Sequence, residues 1–183
     1  MTRKTPQQSI SGFQLPSIDG KHFDLQQLQG QRYLLSFFRF AGCPFCNLRV
    51  HQLIQNWDQF GDNFTVVGIF DASLENLQRN LSKHRTPFTL LADQKNKVYK
   101  EYGVERSVGG VFKGMLKYFP QLLYSMFIKG NLPTNFGGNL LTMPANFLVN
   151  ERGIIEVAHY GKDEFDHLPF KQVMAFSKEE LGN

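Results

Sequence analysis

Tyr33-Leu34-Leu35-Ser36-Phe37-Phe38, followed by Arg39-Phe40-Ala41-Gly42 and then Cys43-Pro44-Phe45-Cys46, is the stretch that decides the architecture. Five apolar or aromatic residues with Ser36 among them, and Gly30 ahead of them, have the length of a strand. A run of this kind, apolar toward both sides, suits the centre of a sheet covered by helices. Pro44 suits the first position of a helix, because its fixed φ fits there and its missing N–H would be unpaired anyway. Val50, Leu53, Ile54 and Trp57 repeat at helical spacing until Gly61-Asp62 stops them.

Working outward, Phe64 to Phe70 reads as the next strand and Leu74 to Lys83 as the next helix. Phe88 to Leu91 is a short strand, followed by a short helix through Val98, Tyr99 and Tyr102 to Gly103. Asn146 to Asn150, the turn Glu151-Arg152-Gly153 and Ile154 to Ala158 form a hairpin, and a last helix is expected from Phe165 to Phe176. Upstream, Gly12 to Leu28 is a lead-in around the turn Ser17-Ile18-Asp19-Gly20. This order predicts an α/β architecture with a parallel core, an antiparallel edge and helices on both faces. Trp57, Phe60, Phe64 and Phe70 read as core, and His159 and His167 as turn and packing residues.

One segment has a different character. Residues 105–143, rich in Gly, Phe and Leu, read as an insertion within a single domain spanning 1–183. Val111, Phe112, Met115, Leu116, Phe119, Leu122, Leu123, Met126 and Phe127 are too apolar to lie exposed, while Lys113, Lys117 and Lys129 would solvate one side. Pro120 and Gly130-Asn131 suggest two short helices and a turn. The stretch 111–128 is expected to serve as a lid, a partner groove or a homo-oligomer interface, or else to form a satellite core cluster.

Apolar residues make up 42% of the chain and charged residues 20%, a globular rather than a disordered balance. The net charge of +4 is scattered without a basic run, so no nucleic-acid partner is expected. The longest greasy stretch is broken by Lys113, Lys117 and Pro120, which excludes a helical membrane span there. The N-terminus has cations but no apolar stretch behind them, so no secretory signal is expected and the cytoplasm is the expected location. In that reducing compartment the chain's two cysteines, spaced C-x-x-C, point to redox or metal chemistry rather than to a structural staple.

The spacing favours redox. Cys43 falls at the exposed start of the helix, where partial positive charge stabilises a thiolate, and Cys46 lies one turn below, able to close a disulfide on it. Arg39 and Arg49 flank the pair and could add positive potential. Zinc needs about four ligands, and the sequence has no second Cys pair; His51 lacks a partner at ligand spacing. No cofactor and no metal are expected.

With those elements placed, the chain resembles the AhpC/TSA, peroxiredoxin-like branch of the thioredoxin superfamily. The resemblance covers most of 12–104 and 142–170. It is carried by Gly12-Phe13-Gln14-Leu15-Pro16 with Asp19-Gly20-Lys21, the dithiol block, Pro87 to Asp93 with Tyr102-Gly103-Val104, and Phe147 to Gly153. It implies a thioredoxin-like fold and thiol-dependent antioxidant or disulfide chemistry.

The departures are informative. The family's P-x-x-x-T-x-x-C would place its peroxide-attacking cysteine at Cys46, but its Thr falls on Cys43 and its Pro on Arg39. The family's active-site Arg, three residues before the Phe of the late strand, falls on Pro144. A proline there resembles the cis-proline of thioredoxins, with Met143 before it presenting backbone to a thiol partner. The buried acid of thioredoxins, six residues before the first Cys, would be Phe37.

The expectation is therefore a thiol-dependent oxidoreductase that uses Cys43 and Cys46 for thiol–disulfide exchange, supported by Arg39, Arg49, Met143 and a cis Pro144. The alternatives are a peroxide reductase attacking through Cys46 and a redox-sensing binding module without turnover. The partners implied are a thioredoxin- or glutathione-like reductant and a disulfide or peroxide substrate.

Overall fold

The computed structural model describes residues 2–82, 85–107, 109 and 138–179. The apolar stretch 111–128 and the three lysines assigned to it lie outside the described residues. The elements in chain order are β1 (Gln14–Pro16), β2 (His22–Asp24), β3 (Arg32–Phe37), α1 (Pro44–Gln55), β4 (Phe64–Phe70), α2 (Leu74–Leu81), β5 (Thr89–Ala92), α3 (Lys97–Glu101), β6 (Ala145–Val149), β7 (Ile155–Tyr160) and α4 (Phe170–Ser177). Single turns of 3-10 helix occupy Leu25–Leu28 and Trp57–Gln59.

Five strands form one mixed sheet in the order β5-β4-β3-β6-β7. β3, β4 and β5 run parallel, while β6 is antiparallel to both β3 and β7. β3 is central and buried along its whole length, and the alternation of its side chains sorts the core into two layers. Leu34 and Phe38 face one layer, with Val50 and Leu53 of α1, Leu77 and Leu81 of α2, and Val173 and Phe176 of α4. Tyr33, Leu35 and Phe37 face the other, with Val98 and Tyr99 of α3 and the β1–β2 lead-in. Where β4 crosses Phe38 it carries Gly68, because a Cβ there would lie 2.8 Å from a Leu90 methyl and 3.0 Å from the Phe38 ring. Trp57 and Phe60, expected in the core, are partly buried against the first layer, and Phe64 and Phe70 lie within it.

The last helix starts later than its apolar spacing suggested. Asp163 accepts from the Phe165 N–H and Pro169 occupies the N-cap, so 163–169 is an extended turn and α4 begins at Phe170. At the edges of the 105–143 segment, Ser107 N–H donates to Leu141 O and Met143 N–H to Glu105 O, so the chain leaves and re-enters the fold side by side.

The Met143–Pro144 bond is trans, contrary to the cis geometry expected there. The chain runs directly into β6, with Met143 N–H bonded to Glu105 O and Pro144 O accepting from Gly161 N–H. Both groups are satisfied by an extended approach, which is the ordinary trans geometry of an X-Pro pair.

Candidate active site

The site is built where β3 gives way to α1. Tyr99 anchors the end of the strand: its hydroxyl lies 2.5 Å from Phe38 O and 2.8 Å from Ile69 O. Asp71 N–H then donates to Arg39 O, which fixes the next residue. A tight turn, Cys43 N–H to Phe40 O at 3.0 Å, presents Cys43 as the N-cap of α1 with φ −69° and ψ 118°, and Pro44 opens the helix as the sequence predicted. Asn47 closes the turn from within the helix, its amide donating to Ala41 O and Cys43 O at 3.1 and 2.9 Å. The Cys43 side chain makes no capping hydrogen bond, which leaves its sulfur for other partners.

Arg39 joins the two thiols. Its backbone N–H points at Cys46 Sγ at 3.4 Å, and its guanidinium reaches Cys43 Sγ at 3.7 Å. The same guanidinium donates to Thr142 O at 3.1 Å and to Leu140 O. Asp71 holds that segment from the other side, accepting from Thr142 Oγ1 at 2.8 Å and from Asn139 N–H at 3.3 Å. The strap 139–142 is therefore tied to the dithiol through Arg39.

Both cysteines are reduced and fully buried. Cys43 was expected at an exposed helix start; instead it is buried in the first core layer, to which Phe38, Phe40, Ala41 and Phe45 also belong. Its position at a helix N-terminus survives, but its exposure does not. Burial pushes the Cys43 thiol up. The hydrogen bond from Cys46, the Arg39 charge and the N–H groups of Cys46 and Phe45 outweigh that and lower it from 9.0 to about 6. Cys46 is driven the other way, well above the usual thiol range, by burial and by its role as donor to a neighbouring thiolate. The pair thus shares one proton, held on Cys46.

Arg49 does not join the site. Its guanidinium donates to Gln52 Oε1 at 2.8 Å and Leu168 O at 2.9 Å and lies over the Phe170 ring. Arg49 follows Cys46 by almost one helical turn, but its long side chain is drawn along α1 toward the 163–169 turn. His167 is half-buried with its ring 5.6 Å from Phe38, and desolvation, with the Arg49 charge in the same sense, pushes its pKa well down.

Sequence reasoning missed Glu164. This residue is 1% exposed, and it lies within electrostatic reach of Arg39 and Cys43. The turn that carries it is tied to the sheet by Asn146, which donates to Ser36 Oγ at 2.7 Å and accepts from Leu168 N–H at 3.0 Å. The neighbouring Phe165 ring packs on Phe45, between the two cysteines, with centroids 3.8 Å apart. Nothing in the sequence singled it out: Asp163-Glu164 lies in a charged and polar run, Lys162 to His167, interrupted only by Phe165. Among the described residues, no group of three or more His, Cys, Asp or Glu is placed to hold a metal ion.

Fold and site together define a thioredoxin-fold protein with a C-x-x-C dithiol at the start of its first long helix. The chain belongs to the AhpC/TSA family, whose model matches residues 6–158. It is 36% identical to peroxiredoxin Bcp of Escherichia coli (strain K12) over 93 residues, which is 50% of this chain and 60% of that protein. It is 30% identical to the chloroplastic peroxiredoxin Q of Populus jackii over 112 residues, 61% of this chain and 53% of the relative. The matched stretch thus spans little more than half the length of these relatives. Among solved structures, peroxidoxin BcpB from Mycobacterium tuberculosis superposes with a TM-score of 0.68, at 16% identity over 96% of both chains. A thiol:disulfide interchange protein DsbE described from Chlorobium tepidum superposes at 0.58, with 18% identity over 96% of this chain and 99% of its own. These two likenesses establish the fold.

Proposed function

We propose that this chain is a thiol-dependent oxidoreductase in which Cys43 is the attacking thiolate and Cys46 the resolving thiol. The substrate is a hydroperoxide, and a thioredoxin- or glutathione-like thiol is the reductant. The observation that carries the reading is the asymmetry of the pair: the guanidinium of Arg39 lies against Cys43 Sγ while Cys46 donates its proton to it. The Cys43 thiolate attacks a peroxide oxygen, forming a sulfenic acid and releasing the alcohol or water. Cys46 then attacks that sulfur, releasing water and leaving a Cys43–Cys46 disulfide. Two donor thiols restore the dithiol by exchange, so thiol–disulfide chemistry is the return half of the cycle. Arg39 takes the place of the guanidinium that the family carries at the position of Pro144.

Two features favour a small peroxide over a protein disulfide as oxidant. Both sulfurs are buried, and the Met143 N–H that a peptide partner would use is already bonded to Glu105 O. The relatives' names point the same way. We read 105–143 as an insertion within one domain, since its two ends pair with one another. The cytoplasm, where thiol donors are kept reduced, is the compartment that suits this cycle.

The test is to make Cys43→Ser and Cys46→Ser separately and add one equivalent of hydrogen peroxide. Cys46→Ser should consume it and accumulate sulfenic acid on Cys43, whereas Cys43→Ser should be inert. The unmodified protein should lose two hydrogens within the peptide holding both cysteines. Peroxide consumption by Cys43→Ser with sulfenic acid on Cys46 would reverse the assignment, and a dithiol that stays free would end the proposal.

A further inference from the structure

The turn after β7 buries a carboxyl that the cycle above does not use. Gly161 lets this turn close tightly: a Cβ there would meet Asp166 O at 2.6 Å and Pro144 Cγ at 2.7 Å. Asp166 accepts from Lys162 N–H at 2.9 Å, and Asp163 from Phe165 N–H at 3.0 Å, so the turn is fixed at both ends. Phe165 packs on Phe45 of the dithiol motif, and Glu164 beside it is carried inside. Among the described residues, neither carboxyl oxygen has a hydrogen-bond partner from another residue. The charged and titratable groups that face it are Arg39 from the β3–α1 turn, Cys43 from the start of α1, and Asp163 of its own turn.

The electrostatics of this group follow from the count of charges. One guanidinium balances one anion, yet two buried acids, Cys43 and Glu164, adjoin it. Burial raises Glu164 to about 7; its own N–H and Arg39 oppose that rise, while Cys43 and Asp163 add to it. Phe37, at the place where thioredoxins carry their buried acid, packs in the opposite layer against Tyr99, Tyr102 and Phe147. On the dithiol side, the buried carboxyl within electrostatic reach of Cys43 is Glu164.

We infer that Glu164 is the acid that protonates the oxygen leaving the peroxide as Cys43 attacks. The inference rests on Cys43 being the attacking thiolate. Before the attack Cys43 carries the negative charge and Glu164 the proton. As the S–O bond forms and the O–O bond breaks, the peroxide accepts two electrons from sulfur. The departing alkoxide or hydroxide takes the Glu164 proton and leaves as alcohol or water. Cys43 is now a neutral sulfenic acid, and the single anion opposite Arg39 is the Glu164 carboxylate. When Cys46 attacks that sulfur, its own proton leaves with the hydroxyl as water. The donor thiols later return a proton to Glu164 and a thiolate to Cys43. Charge opposite Arg39 is constant throughout.

The test compares leaving groups in Glu164→Gln, which keeps size and removes the proton donor. Hydrogen peroxide expels a strongly basic oxygen and needs an acid; peracetic acid expels a weakly basic carboxylate and does not. Glu164→Gln should slow oxidation of Cys43 by hydrogen peroxide by about a hundredfold, the scale of general acid catalysis, and change the peracetic acid rate by less than about threefold. Glu164→Asp, which keeps the acid, should retain most of the hydrogen peroxide rate. The Cys43 thiolate absorbance of Glu164→Gln should also titrate at lower pH, since a competing anion has been removed. Equal losses with both oxidants, or equal losses in the Gln and Asp variants, would reduce Glu164 to a packing role. An unchanged hydrogen peroxide rate would overturn the inference outright. If the unmodified protein reacts with neither oxidant while iodoacetamide still alkylates Cys43, the peroxidase reading itself fails and the role of Glu164 goes with it.

Discussion

Arg39→Met is the perturbation that most directly tests how the dithiol is poised, because it keeps the stem of the side chain and removes only the charge. The guanidinium lies 3.7 Å from Cys43 Sγ, where at an effective dielectric near 20 an opposite charge is worth ~4 kcal/mol, roughly a thousandfold in acidity. That is the size of the whole lowering of Cys43 from 9.0 to about 6, so the variant's thiol should titrate near or above its ordinary value. At pH 7 the thiolate fraction falls from about nine-tenths to about one-hundredth. Each remaining thiolate is intrinsically more nucleophilic by roughly twentyfold, given a Brønsted coefficient of about 0.45. Alkylation by iodoacetamide should therefore slow only about four- to fivefold at pH 7, but about forty- to fiftyfold at pH 5. The two pH–rate curves should cross at about pH 7.7, above which the variant is the faster protein. The assay is alkylation of Cys43 from pH 5 to 10, followed by mass spectrometry. An inflection that stays near 6 in the variant would refute the assignment of the charge to Arg39, and curves that never cross would refute the reasoning about nucleophilicity.

Two further outcomes concern stability. Asn146→Ala orphans the buried Ser36 hydroxyl and the Leu168 N–H, and should cost about 2–4 kcal/mol, lowering Tm by roughly 5–15 °C; a loss under about 1 kcal/mol would mean that the 163–169 turn is held some other way. Glu164 is raised from 4.5 to about 7 in the fold, so its contribution is fully present below pH 4.5 and is lost as pH rises through 7. The advantage of Glu164→Gln over the unmodified reduced protein should grow across that window, toward a limit of ~3 kcal/mol for a fully desolvated carboxyl. Thermal melts at pH 4.5 and 8 check it, and an advantage equal at both would show that the carboxyl is not buried.

The sequence announced the parts of this molecule whose logic is local. Tyr33 to Phe38 alternates between two apolar layers and could only be a central strand, and Pro44 could only open a helix beside it. Cys43, Cys46 and Arg39 lie within eight residues of one another on that strand–turn–helix unit, so their convergence was legible before any tertiary contact was known. What was not legible depends on what folds over them. A helix N-terminus sets partial charge at Cys43, but exposure there is decided by Phe40, Phe45 and the aromatic turn at Phe165. Spacing along α1 brought Arg49 close in sequence, yet its reach let the carbonyl of Leu168 claim it. Pro144 looked like a partner-docking proline because its neighbours in sequence fit that role. The pairing of Met143 with Glu105, contributed by the far end of the 105–143 segment, satisfies the N–H that docking would need. Glu164 is the extreme case: no periodicity marks it, and its meaning comes from Arg39, more than a hundred residues earlier. These differences share one consequence. A thiolate that a local motif both places and pairs with a guanidinium is shielded by residues that arrive from elsewhere in the chain, the Phe165 turn among them. The family motif can therefore lose its usual Thr and Arg and still keep one low-pKa thiol, because Cys46 and Arg39, both within the motif, bring a hydrogen bond and a guanidinium to the same sulfur.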